Sequence, residues 1–200
     1  MTARQCHGFI NEASVCERDS LTPWPKFVES NPVFREPGGD YTSTWDAMDM
    51  AHKTEGKYGY LPVQIKTIKL GAATELGDIF RNSAKSESFR LIVDFYDPSD
   101  KKKIAKTYNL IVDASAWRSH FDFPDYEEWK DWIRNKVSNC YDYDEQWKME
   151  RLKRKSDWEE NNPKSLVTPT FKRDHKKQRR IQCSVSSSNF PNFIESIRAK

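Results

Sequence analysis

The chain has no run of about 18 consecutive apolar residues, so it carries no segment that reads as a membrane span. Residues Met1 to Glu12 lack the apolar stretch of a secretory signal, and an intracellular location is the expectation. Its four cysteines, at 6, 16, 140 and 183, show none of the two-residue spacing that structural zinc sites favour. Cys6, His7 and Cys16 could meet at a metal, but the second ligand pair is missing, and buried thiols in a reducing compartment are the simpler account. No internal repeat is present. Net charge is also scarce: +3 over 200 residues, which by itself does not require a polyanionic partner.

Aromatics and charge are what the chain has in quantity. Seven Trp, eight Tyr and eleven Phe supply core material, and 32% of the residues are charged, giving a densely ionic surface around a folded core. The length suits one sizeable core or a core with a small appendage. Composition changes at Asn161-Asn162-Pro163, so the expected organisation is a body over 1–160 and a basic tail with a final strand over 161–200, packed on the same domain.

Phe9, Ile10, Ala13 and Cys16 recur at helical spacing and predict a helix over 7–18. Four prolines within 21–39 predict an irregular crossing segment. Residues 41–50 fit neither period cleanly. Over 61–68, Val63, Ile65 and Thr67 alternate with Gln64 and Lys66, the pattern of a strand that puts Gln64 and Lys66 on one face. Residues 71–84 are expected to hold a loop and a short helix. Residues 89–96 are nearly all apolar, as in a strand buried on both faces. The turn residues at 97–100 and the apolar return at 107–112 then predict a hairpin.

Farther on, Tyr126, Trp129, Ile133 and Val137 predict an amphipathic helix docking on this sheet. A charged surface helix is expected over 144–161, with Trp147, Leu152 and Trp158 as its apolar contacts. Ile181, Cys183 and Val185 alternate with polar residues in a last, half-buried strand that could complete the sheet. Together these elements predict an α/β fold with a mixed central sheet, its strands near 41–48, 61–68, 89–96 and 107–113, flanked by helices.

Phosphodiester hydrolysis needs a divalent cation to polarise the phosphoryl oxygen and acidify a water, and a positive group to stabilise the developing charge. An Asp at one strand end, with an oxygen-bearing side chain two residues before a Lys on the next strand, can surround one phosphate with two ligands and a cation. Asp46, Gln64 and Lys66 have that order, and Asp49 competes with Asp46 for the same role.

Trp45-Asp46, then Val63-Gln64-Ile65-Lys66-Thr67, with Glu12 on the upstream helix, resembles the PD-(D/E)XK nuclease superfamily in its Gln-x-Lys variant. The resemblance spans roughly 7–117, and it departs from the usual motif in lacking a Pro before Asp46 and in carrying a neutral Gln. It implies a restriction-endonuclease-like fold with Asp46, Gln64 and Glu12 as magnesium ligands, manganese substituting. Lys66 would orient the water and stabilise the transition state. The implied activity is sequence-specific cleavage of double-stranded DNA by a type II restriction endonuclease, as a homodimer in which each site cuts one strand.

Lys172, Arg173, Lys176, Lys177, Arg179 and Arg180, with Gln178 and Gln182, form a basic stretch suited to phosphates and base edges. A homing or repair and junction endonuclease of the same fold, and a non-catalytic nucleic-acid-binding module, are the competing readings. His7, His52, His120 and His175 are scattered outside any recognisable nuclease motif, with His120 expected as a packed or surface imidazole. No cysteine has a context that would activate it.

Overall fold

In a computed structural model, residues 3–35, 45–136, 145–173 and 179–199 are described. They form a mixed α/β structure, as expected, but with two sheets rather than one. The contacts divide the chain into a first unit of Met1–Ala72, Ser86–Ala114 and Arg198–Lys200 and a second of Ala73–Lys85 and Ser115–Ile197. The division expected at residue 160 is not the one these contacts draw.

The first unit is built on helix α1 (Ala3–Arg18) and a five-stranded sheet. Its strands are β1 (Thr22–Pro23), β2 (Ala47–Lys53), β3 (Tyr60–Lys69), β5 (Phe89–Tyr96) and β6 (Ile104–Val112), side by side in that order. Strand β3 runs antiparallel to β2 and parallel to β5, and β5 and β6 form the expected antiparallel hairpin. A parallel pair needs a long connection. Here residues 70–88 supply it and contain β4 (Thr74–Asp78) and α3 (Ile79–Ser83). Val15, Cys16 and Leu21 pack with Ala47, Val63, Ile65 and Ile92, which seats the helix on the odd-numbered face of β3.

The segment 21–39 is not irregular throughout. Helix α2 (Trp24–Ser30) forms there because Pro25 sits in the first turn, where a missing N–H costs nothing, while Trp24, Phe27 and Val28 bury one face. The strand expected near 41–48 lies later, as β2, and positions 36–44 fall outside the described residues.

The second unit has a three-stranded antiparallel sheet in the order β4, β8 (Arg179–Val185), β7 (Thr168–Arg173). The final strand therefore pairs with β4 and β7 and does not complete the first sheet. Strand β4 escaped the sequence pattern because its register shifts at Gly77, whose φ of +92° suits glycine and breaks the alternation.

After the short helix α4 (Ala114–Ser119), the amphipathic segment beginning at Tyr126 is α5 (Tyr126–Asp131) followed by a π-helical turn to Lys136. It docks on the second sheet, where Trp129 and Trp132 meet the Phe171 ring edge-on at 5.4 and 5.3 Å. Helix α6 (Glu145–Asn161) adds Trp147 and Trp158 to the same aromatic cluster, while Leu152 stays exposed. A helix missed in the sequence, α7 (Phe190–Ile197), buries Phe190, Phe193, Ile194 and Ile197 at helical spacing. Because buried Phe171 joins Trp129 to Trp132 in the aromatic cluster, Phe171→Ala is expected to cost about 3–5 kcal/mol of stability, read by urea unfolding.

Candidate active site at the parting of two strands

Strands β2 and β3 pair regularly from Asp49↔Leu61 to Ala47↔Val63 and then part. At the parting point the Asp46 N–H donates to the Val63 carbonyl at 3.0 Å. Its carboxylate takes over from the backbone ladder: Oδ2 accepts the Ile65 N–H at 2.7 Å. The Trp24 N–H, donating to the Asp46 carbonyl at 3.0 Å, holds the same residue from the other side. Trp45, beside it, is buried against Phe89. The Asp46 carboxylate is thereby fixed to the N–H of Ile65, the residue between Gln64 and Lys66.

Gln64 and Lys66 are both half-buried and share a face of β3, in register with Leu91 and Val93 of β5. Glu12 lies one helical turn before Cys16 on the stripe that α1 packs inward. Burial and the negative charge of Asp46 push its carboxyl up to about 7, with Lys66 acting in the opposite sense. The Cys16 thiol is raised to about 11 by burial, then by Glu12, Asp46 and Asp19. Glu12, Asp46 and Lys66 thus lie within electrostatic reach of one another.

Asp49, the other candidate, is already paired. Its buried carboxylate accepts from Arg90 and His52, each at 2.8 Å, and from the Ala51 N–H. Burial acts to raise its pKa, but the hydrogen bonds from Arg90 and His52 hold it below the usual carboxylate range.

Among the described residues, no three His, Cys, Asp or Glu side chains gather as a metal cluster. Two carboxylates, Glu12 and Asp46, lie within electrostatic reach of each other and are oxygen ligands of the kind magnesium takes. Burial lifts Glu12 first and the Asp46 charge second, and a divalent cation between the two carboxylates would offset the second effect, so the pair suits such an ion.

The expected nucleic-acid contacts lie in the second unit. Lys172 and Arg180 are register partners on one face of the β7–β8 hairpin, with Thr170 and Gln182 beside them, while Phe171, Ile181 and Cys183 are buried. Lys172 is ion-paired with Glu75 at 2.8 Å. Arg173 and Arg179 face each other in the register at the hairpin end. Lys176, Lys177 and Gln178 lie outside the described residues.

The imidazole of His120 packs against Phe193 and bonds Ser196, and burial lowers its pKa. Cys16 and Cys183 are buried free thiols; the side chains of Cys6, His7, Cys140 and His175 are outside the described set. No helix among the described residues is long and apolar enough to cross a membrane.

Sequence reasoning missed a chain of ion pairs beside the site. Arg90 joins Asp49 to Asp19, and Arg18 joins Asp19 to Asp94, whose carboxylate also accepts from Thr107. Arg90 and Asp94 interrupt an otherwise apolar strand, and charges in such a strand must find partners, which is the signal that could have found them. Comparison with protein-family models, curated proteins and solved structures finds no match to this chain.

Proposed function

We propose that this chain is a magnesium-dependent endonuclease that hydrolyses DNA phosphodiesters, with a PD-(D/E)XK site in its Gln-x-Lys form and cleavage of the type II restriction kind. One observation carries the reading: the Asp46 carboxylate is tied to the Ile65 N–H, between Gln64 and Lys66, with Glu12 alongside. Asp46 Oδ1, Glu12 and the Gln64 amide oxygen would hold the cation, which when bound supplies Lewis-acid polarisation of the phosphate and a more acidic water.

The chain's own part is positional and electrostatic. The Ile65 peptide fixes Asp46, and the Lys66 ammonium stabilises negative charge as it grows on the phosphoryl oxygens. Two copies related by a twofold axis would cut the two strands of a palindrome. Incubation with varied plasmid DNA and magnesium or manganese, followed by sequencing of the ends, is expected to give discrete fragments. A pure, folded preparation that cuts with neither cation contradicts the reading.

On the same reading, the hairpin contributes phosphate contacts. Arg180→Ala is expected to lower the slope of log affinity against log salt by about 1, measured by fluorescence anisotropy on duplex DNA without divalent cation. Lys172→Ala, whose charge Glu75 partly offsets, should lower it by no more than about 1. Slopes equal to the parent's would remove the hairpin from the interface.

A further inference from the structure

The proposed site draws on α1 for Glu12, on the residue just before β2 for Asp46 and on β3 for Gln64 and Lys66, and a two-carboxylate cation site works only if their spacing is held. Val15 and Cys16 pack α1 on the sheet, but apolar packing fixes the slide and rotation of a helix less sharply than directed hydrogen bonds do. The directed contacts converge on Arg90. Its Nη2 donates to Asp19 Oδ1 at 3.1 Å, its Nη1 to Asp49 Oδ2 at 2.8 Å and its Nε to Asn109 Oδ1 at 2.8 Å.

Those partners are placed to matter. Asp19 directly follows α1, the helix that carries Glu12, and Asp49 lies on β2, which begins at the residue after Asp46. Arg90 itself is the register partner of Val63, the residue before Gln64. One guanidinium, carried on β5, therefore ties together the end of α1, strand β2 and strand β6. Its side chain is 17% exposed, so the bonds are shielded from competing water. Its planar fork meets two carboxylates at once, a geometry that the single ammonium of Lys does not reproduce.

From this we infer that Arg90 is a positioning residue for the cation site, setting the separation of Glu12 and Asp46 through Asp19 and Asp49. The inference rests on the proposed metal-dependent reading. Partners of this kind, outside the ligand set, typically change metal affinity 10- to 100-fold.

The test is calorimetric titration of Mn2+ into the full chain without DNA, beside thermal melting of each variant. Arg90→Lys and the near-isosteric Asp19→Asn are each expected to weaken Mn2+ binding about tenfold or more while remaining folded at the titration temperature. In a Glu12→Gln background neither should weaken it by more than about twofold, because the separation being held no longer matters.

If the parent binds Mn2+ and both variants melt earlier yet keep its affinity, Arg90 is only a structural tie and the inference is overturned. Equal losses with and without Glu12 overturn it too. A parent that binds no Mn2+ fails at an earlier point, removing the metal reading itself and this inference with it. If Arg90→Lys does not fold, Asp19→Asn carries the comparison, since it keeps the side-chain shape and removes the charge.

Discussion

Asp46→Asn is expected to lower the single-turnover rate of DNA cleavage by about 10³-fold or more while the protein stays folded. The choice of Asn matters. The Asp46 carboxylate has a structural task, accepting the Ile65 N–H, and an amide oxygen can keep that bond, so the loss reports chemistry rather than collapse. Asp46→Ala would leave the Ile65 N–H without that acceptor and mix the two effects. Lys66→Ala should cost about 10²–10³-fold, the usual loss for one group that stabilises charge in the transition state. DNA binding measured without divalent cation should change much less in both variants. If both cut as fast as the parent, the chemistry lies elsewhere.

The second large effect separates stability from activity at Glu12. A carboxyl raised to about 7 in the folded chain, from an ordinary value of 4.5, destabilises the fold when ionised. With the cation absent, the folded state binds the proton more tightly than the unfolded state between those two values. The stability that the protonated group confers is fully present below about pH 4.5 and is lost as pH rises through about 7.

Glu12→Gln removes that loss. Above pH 7 and in chelator it should make the protein more stable by about 1–2 kcal/mol, allowing for partial solvent screening, and the gain should fade toward pH 5. The same change should lower cleavage by about 10²-fold or more, since a ligand's charge is gone. Urea unfolding from pH 5 to pH 8, with and without the substitution, reads the first effect. A stability difference that does not vary with pH would show that Glu12 is not held as described.

The strands that carry the site were legible because their signals are local. Alternation around Gln64 and Lys66 is a property of β3 alone, and the apolar run of β5 needs no partner to be recognised. The helix that carries Glu12 was legible for the same reason, from the spacing of Phe9, Ile10, Ala13 and Cys16, while Glu12 itself entered through the family resemblance. The choice between Asp46 and Asp49 was not, because two carboxylates three residues apart on an ambiguous segment differ only in what they meet across the sheet. The Ile65 N–H takes one and Arg90 takes the other, and both partners are remote in sequence.

The second sheet was hidden for a related reason. Strand β4 is short and bulged at Gly77, and it lies in the connection between two strands of the first sheet, where the sequence reads as a loop and a short helix. Helix α2 was concealed by prolines that mark loops in most contexts but are tolerated in a first helical turn. The tie through Arg90 depends on side chains from α1's end, β2, β5 and β6 meeting at one guanidinium. No window of sequence contains them all.

The most direct measurement is the anomalous signal of manganese in crystals of the chain bound to uncleaved DNA. A peak about 2 Å from an oxygen of Asp46, shared with Glu12 or Gln64 and lying against a phosphate that Lys66 also approaches, is the result predicted here. Ordered DNA with no manganese at Asp46, or with manganese held by other residues beside the scissile phosphate, would contradict it.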